Sequence, residues 1–356
     1  MLKNKLLFPV IVLMTIIFSC KKTESTTQGN PKVTTGLYVL NQGNFGANNT
    51  MLTYYDFASS IQTTDFFKNV NGFGLGDTGS DFIIYGGKVY IVMNVSGYIA
   101  VANSFTSKFI DTISFKNGSV NRGPQNILAS GNHVFVSSTD GTVAVIDTTS
   151  LAIEKYITVG SNPAQMAITG RNLYVSNTGG YNAPDYDSTV SVIDLNSLTE
   201  TGKIVVGTNP GSIAGDSSGN LYVVCTGDYV SIPPSLVKVS LSTNKVTLRV
   251  DSVLGTIRYY NNELITTGGY LGVSNTGILN TGDLSAVRPS FVTDGTAIEN
   301  PYGLDIDPAT GDVYVGDAKD YTSSGEVFCF DLNGKKKFSF SVSPGISPIK
   351  TVLIQK

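Results

Sequence analysis

Apolar residues along this chain fall in short runs separated by polar turns, and one run recurs. It reads aliphatic, aromatic, aliphatic: Leu37-Tyr38-Val39, Val89-Tyr90-Ile91, Val134-Phe135-Val136, Leu173-Tyr174-Val175, Leu221-Tyr222-Val223 and Val313-Tyr314-Val315. Leu264-Ile265-Thr266 is a degenerate seventh copy. A polar pair or a glycine precedes each, as a tight turn requires. A second alternating run follows, including Leu52-Thr53-Tyr54-Tyr55-Asp56, Val143 to Asp147, Val190 to Asp194, Leu236 to Ser240 and Val327 to Asp331. Alternation puts one set of side chains on each face of a strand. Both sets here are largely apolar, so the pattern predicts strands buried on two sides.

A further strand precedes each aromatic one, opening near Pro124, Pro163, Pro210, Pro301 and Pro348, and a fourth, such as Ile153 to Val159, closes the unit. Four short strands in roughly 40 to 47 residues make one propeller blade. Units open near Gly79, Pro124, Pro163, Pro210, Leu254 and Pro301. The chain also has an aromatic strand from Leu37 without its first partner, and ends on a lone first strand, Pro348 to Ile354. Joining these leftovers completes a seventh blade and removes the open edges. The expectation is an all-β, seven-bladed β-propeller over residues 35–356, closed by pairing the C-terminal strand with the N-terminal blade.

The N-terminus has a different pattern. Lys3 and Lys5 precede an apolar stretch, Leu6 to Phe18, too short to cross about 30 Å of hydrocarbon comfortably as a helix. It ends at Ile17-Phe18-Ser19-Cys20, which resembles a bacterial lipobox, although Phe18 is larger than the small residue usual there. The resemblance implies a signal peptide over 1–19 and lipidation at Cys20. The polar composition from Lys21 to about Thr34 suits a flexible tether, so 20–34 is the lipidated cysteine with its tether. The protein is thus expected to be held to a membrane through a lipid anchor only, at the outer membrane, on the surface or the periplasmic side.

Composition narrows the chemistry. Net charge is −3 with 14% charged residues, which offers no basic footprint for nucleic acid. Of three cysteines, Cys20 is assigned to the lipid. Cys225 and Cys329 fall in different blades and are expected to be buried hydrophobes, too far apart for a disulfide. The single histidine, His133, occupies a turn-side position, so neither a Ser-His-Asp arrangement nor a histidine metal cluster is available. Asp56, Asp147, Asp194 and Asp331 recur once per blade at a strand end, where they are expected to bond their own turn amides. No cofactor is implied, and the expected role is binding, not catalysis.

Two features point to a binding surface. The loops between second and third strands share one face of a propeller. They carry Phe45, Tyr181, Tyr186, Tyr229, Tyr270 and Tyr321, which offer flat contact area at low entropic cost. First strands line the axis, and two residues past the proline column stand Asp81, Asn126, Gln165, Ser212, Thr256, Gly303 and Lys350, a mostly polar ring. Asp81 and Lys350 fall in neighbouring blades, close enough in register to pair. Ordinary loop packing and a water-filled channel are the plainer accounts of the two features.

The units Asn162-Pro163 and Thr189-Val190-Ser191-Val192-Ile193-Asp194-Leu195, with Val205-Val206-Gly207, resemble the YncE-like propellers built on the YVTN repeat. The stretches Tyr38 to Gly46, Asn300 to Pro308 and Asp317 to Tyr321 are similar to Bacteroidota surface lipoproteins that include the cobalamin-capturing BtuG type. That resemblance implies a capture protein for a small molecule, a corrinoid foremost, with an outer-membrane transporter as a partner. An adhesion or scaffold protein is the alternative. A lactonase-like enzyme is a third, argued against by the lone, misplaced histidine.

Overall fold

Why the recurring strand alternates as it does becomes plain once the blades are in place. The computed structural model describes residues 34–270 and 273–355, without the side chains of 269–275. The expected signal peptide, Cys20 and nearly all of the tether lie outside the described residues, as does the Tyr270 side chain.

Seven four-stranded antiparallel sheets form the ring. Two of them open with Gly79–Tyr85 and Lys88–Met93, and with Pro124–Ser130 and His133–Ser138. The first strand of each sheet touches that of the next, and the circuit closes on itself around the axis. The closing blade pairs Pro348–Gln355 with Thr34–Asn41, with Leu37 opposite Leu353 and Val39 opposite Thr351. Met51–Asp56 and Ile61–Thr63 complete it. The expected seven blades and the expected closure are both present.

Seven apolar clusters fill the seven interfaces between blades. Val89, Ile91 and Met93 pack back against Leu40 and Leu52 of the closing blade. Tyr90 and Val92, on the other face of the same strand, pack forward against Ile127 and Val134. The same division separates Leu221, Val223 and Cys225 from Tyr222 and Val224. The flanking aliphatics of the motif therefore face the preceding blade, and the central aromatic faces the next. In the degenerate copy Leu264 and Ile265 keep this division, and Thr266 is buried.

Cys225 and Cys329 are free, buried and in different interfaces. Two small elements were not foreseen. A helix, Phe66–Asn71, packs Phe67 under the closing blade, and a hairpin pairs Lys116–Asn117 with Val120–Asn121.

Candidate functional site

Strand direction fixes which loops share an end of the ring. Each first strand starts on the face that carries the loops between second and third strands, so the polar ring lies just inside that face. Two cavities follow the axis from there. The outer one, about 410 Å³, is lined by Asn126, Gln165, Ser212 and Thr256 of the ring, with Thr226, Tyr229 and Leu254 at its edge. The second, about 340 Å³, shares Asn126, Gln165 and Thr256 and runs further along the strands to Ile83, Leu128 and Arg258, with Asp81, Tyr302 and Lys350 in its wall.

The ring residues also join blades. Asp81 accepts hydrogen bonds from the amides of Phe82 (2.8 Å) and Ile127 (3.1 Å), the latter in the next blade. Burial pushes its carboxyl up from the ordinary value, against the pull of the Lys350 ammonium. Ser212 repeats the device, donating to Gln165 Oε1 at 3.0 Å and accepting from the Ile257 amide at 3.0 Å. The expected pairing of Lys350 with Asp81 is replaced by another. Lys350 Nζ stands 2.9 Å from Asp305 Oδ1, in the preceding blade. Arg258 Nη2 is 3.7 Å from the same oxygen. Arg258 and Asp305 were missed in the sequence. Their signal was a charge at a position that is apolar in other first strands, as at Ile83, Leu128 and Ala167.

The expected aromatic face is only partly assembled. Tyr229 lines the mouth, 54% exposed, with the Tyr186 ring 6.1 Å away in an edge-to-face arrangement. Tyr321, 45% exposed, packs edge-to-face on Tyr302 at 5.6 Å, one ring removed from the channel. The Tyr302 hydroxyl donates to Gln42 Oε1 at 2.9 Å, and burial raises its pKa. Phe45 and Tyr181 project at 84% and 80% exposure without a ring partner among the described residues. The structure thus brings together Tyr229, Asn126 and Gln165, with Asp81 further along the channel, and leaves Phe45 and Tyr181 apart.

The loop bearing Tyr229 is tightly built. Asp228 Oδ1 accepts from the amides of Val230 (2.9 Å), Ser231 (2.7 Å) and Ile232 (2.7 Å), and its Oδ2 accepts from Ser231 Oγ at 2.7 Å. The bond from the Ile232 amide, followed by the other three, holds this carboxyl far below its ordinary range. Gly227 sits at φ +78°, where a Cβ would run into the Ile232 carbonyl. Beside this loop lies a third cavity, about 220 Å³, lined by Tyr229, Val230, Ile232, Pro233, Pro234 and Leu254.

The remaining candidates are structural. Asp147 accepts from the Thr149 and Ser150 amides, and Asp56, Asp194 and Asp331 likewise bond their own turns. His133 is half-buried, its Nε2 3.0 Å from Glu154 Oε2, on the face opposite the mouth. Among the described residues no group of three or more His, Cys, Asp or Glu is placed to hold a metal ion. No helix among them is long and apolar enough to cross a membrane.

Several solved structures share the fold at low identity. Kuenenia stuttgartiensis hydrazine synthase is 18% identical over 72% of this chain and 77% of its own, with a TM-score of 0.60. A quinonprotein alcohol dehydrogenase-like protein from Bacteroides thetaiotaomicron is 14% identical over 91% and 79%, with a TM-score of 0.64. A candidate 6-phosphogluconolactonase from Bacteroides fragilis is 12% identical over 90% and 98%, also with a TM-score of 0.64. Such likenesses speak for the propeller alone. No curated protein matches the sequence. The model of the family described as a domain of unknown function (DUF5074) matches residues 35–344, and the chain belongs to that family.

Proposed function

We propose that the protein is a non-enzymatic capture protein that takes a small molecule at the channel mouth. One observation supports this most: the mouth joins neutral hydrogen-bonding groups, on Asn126, Gln165 and Ser212, to the exposed ring of Tyr229. A concave site with few convergent polar groups and an aromatic edge is the usual form of a small-molecule pocket. Its volume of about 410 Å³ falls in the range of such pockets, roughly 300–1,000 Å³.

Lipidation at Cys20 would tether it to the outer membrane, where a transporter could receive the ligand. Within this reading a corrinoid is the first ligand to test, on the sequence resemblance alone. A corrin ring would lie across the mouth, with its amides toward Asn126 and Gln165. A second reading, docking of another protein, draws on Phe45, Tyr181 and Val230 (92% exposed) on the same face.

The test is recovery of the protein from native membranes, followed by mass spectrometry of the small molecule it carries and calorimetry with cyanocobalamin. Loss of binding in Asn126→Ala and Gln165→Ala with folding intact supports capture at the mouth. A protein that brings down no small molecule counts against capture, and failure with cyanocobalamin alone removes only the corrinoid.

A further inference from the structure

The three cavities are neighbours that share wall residues, and their chemistry changes from one to the next. Tyr229 and Leu254 line both the loop pocket and the mouth, while Gln165 lines both the mouth and the channel. The loop pocket is walled mainly by carbon, from Val230, Ile232 and the two prolines that follow. The mouth offers neutral amide and hydroxyl groups. The channel presents Arg258 and Lys350.

Arg258 is under-used by the protein. Its only hydrogen bond among the described residues runs from Nη1 to the Ile257 carbonyl at 3.0 Å. Its approach to Asp305, at 3.7 Å, is too long to be one. A guanidinium has five N–H donors in a planar fork, so most of these lack a protein acceptor. Asp305 is not in the cavity wall, and its oxygens are engaged by Lys350 and the Thr351 amide. Asp81 is in the wall, but both its oxygens accept backbone amides. Two cations and two carboxylates therefore surround the channel. Both carboxylates are engaged by protein donors whereas most donors of Arg258 are not, so the guanidinium is the group left to meet an entering acceptor. A carboxylate matches the guanidinium fork.

From this sequence of surfaces we infer that the ligand is an amphipathic carboxylate. Its apolar arm fills the loop pocket beside Val230, its amides meet Gln165 and Ser212, and its carboxylate reaches Arg258. The inference rests on the capture reading and narrows it to a ligand class.

The test uses N-octanoyl-glycylglycine, its C-terminal amide and N-acetyl-glycylglycine, titrated by calorimetry into the full chain and into Arg258→Gln. The acid should bind at least about tenfold more tightly than the amide, as one charge-assisted pair allows. Shortening octanoyl to acetyl should cost at least about tenfold, because methylenes leave the apolar pocket. Arg258→Gln should bring the acid down to the amide. Equal binding of acid and amide in the wild type overturns the inference without reliance on the variant, and so does absence of octanoyl-glycylglycine binding. In either case a neutral molecule recovered with the native protein would leave capture itself standing.

Discussion

Lys350 Nζ lies 2.9 Å from Asp305 Oδ1, and this pair ties the last strand of the chain to the blade before it. Asp305 Oδ2 also accepts from the Thr351 amide at 2.7 Å, so one carboxylate holds both a side chain and the backbone of the closing strand. The closing strand is thereby held at the axis as well as by the ladder to Thr34–Asn41.

Ring closure should accordingly be costly to break. Asp305→Ala strands the Thr351 amide and leaves Lys350 without its partner, a loss on the order of 3 kcal/mol for a largely buried pair. Removing Pro348 to Lys356 should cost more, because it exposes the ladder edge of Thr34–Asn41. Urea unfolding checks both. An unchanged midpoint in the truncated chain would refute a ring held shut by this strand.

The two cysteines give an independent probe of blade packing. Burial pushes the thiols of Cys225 and Cys329 up to about 12. Neither should react with iodoacetamide at roughly pH 8 while the protein is native, because the reactive thiolate is scarce and the site is closed. Both should be alkylated once urea opens the blades, with peptide mapping to assign each site. Rapid native labelling of Cys225 would mean that the interface around Leu221 and Val237 opens readily.

How far the fold was legible follows from where its information lies. The aromatic strands, the second strands and the two unmatched ends of the chain specify blades locally. The split of each strand between two interfaces then follows from period-two alternation. The channel was less legible. The ring of Asn126, Gln165 and Ser212 could be read from its column, but the partner of Lys350 could not. Asp305 and Arg258 lie in different blades and meet only once those blades pack side by side. Exposure of loop rings was not legible at all. Tyr186 and Tyr321 occupy the same kind of loop as Tyr181, yet each rests on another ring, fixed by backbone courses that the pattern does not specify.

Acid should leave the Tyr229 loop ordered over an unusually wide range. Asp228 has a folded-state pKa far below its ordinary 3.8. A group depressed in this way contributes its stabilisation in full above the unfolded value and loses it only as pH falls through the folded one. Amide exchange protection at Val230, Ser231 and Ile232 should therefore hold from about pH 7 down to about pH 4, after correction for intrinsic rates. Asp228→Ala should lose that protection at every pH while the blades stay folded. Protection that survives the substitution would show that the turn is held by its backbone alone.

The last prediction separates binding from folding at a single residue. Tyr229 has φ +63°, a left-handed conformation that a residue with a Cβ adopts at a cost of about 1–2 kcal/mol. Its ring is just over half exposed at the mouth and meets Tyr186 edge-to-face at 6.1 Å, a contact worth about 0.5–1.5 kcal/mol, comparable to that strain. Tyr229→Gly removes the ring with its Tyr186 contact and relieves the backbone together, so the two effects offset and thermal stability should change little. Affinity for whatever molecule the native protein carries should fall, by roughly 1–4 kcal/mol if the ring anchors it. Tyr181→Ala, at a ring that stands apart from the mouth, should change neither quantity by more than about 0.5 kcal/mol. A Tyr229→Gly protein that loses stability and keeps its affinity would mean that the ring packs the loop and that the ligand sits elsewhere.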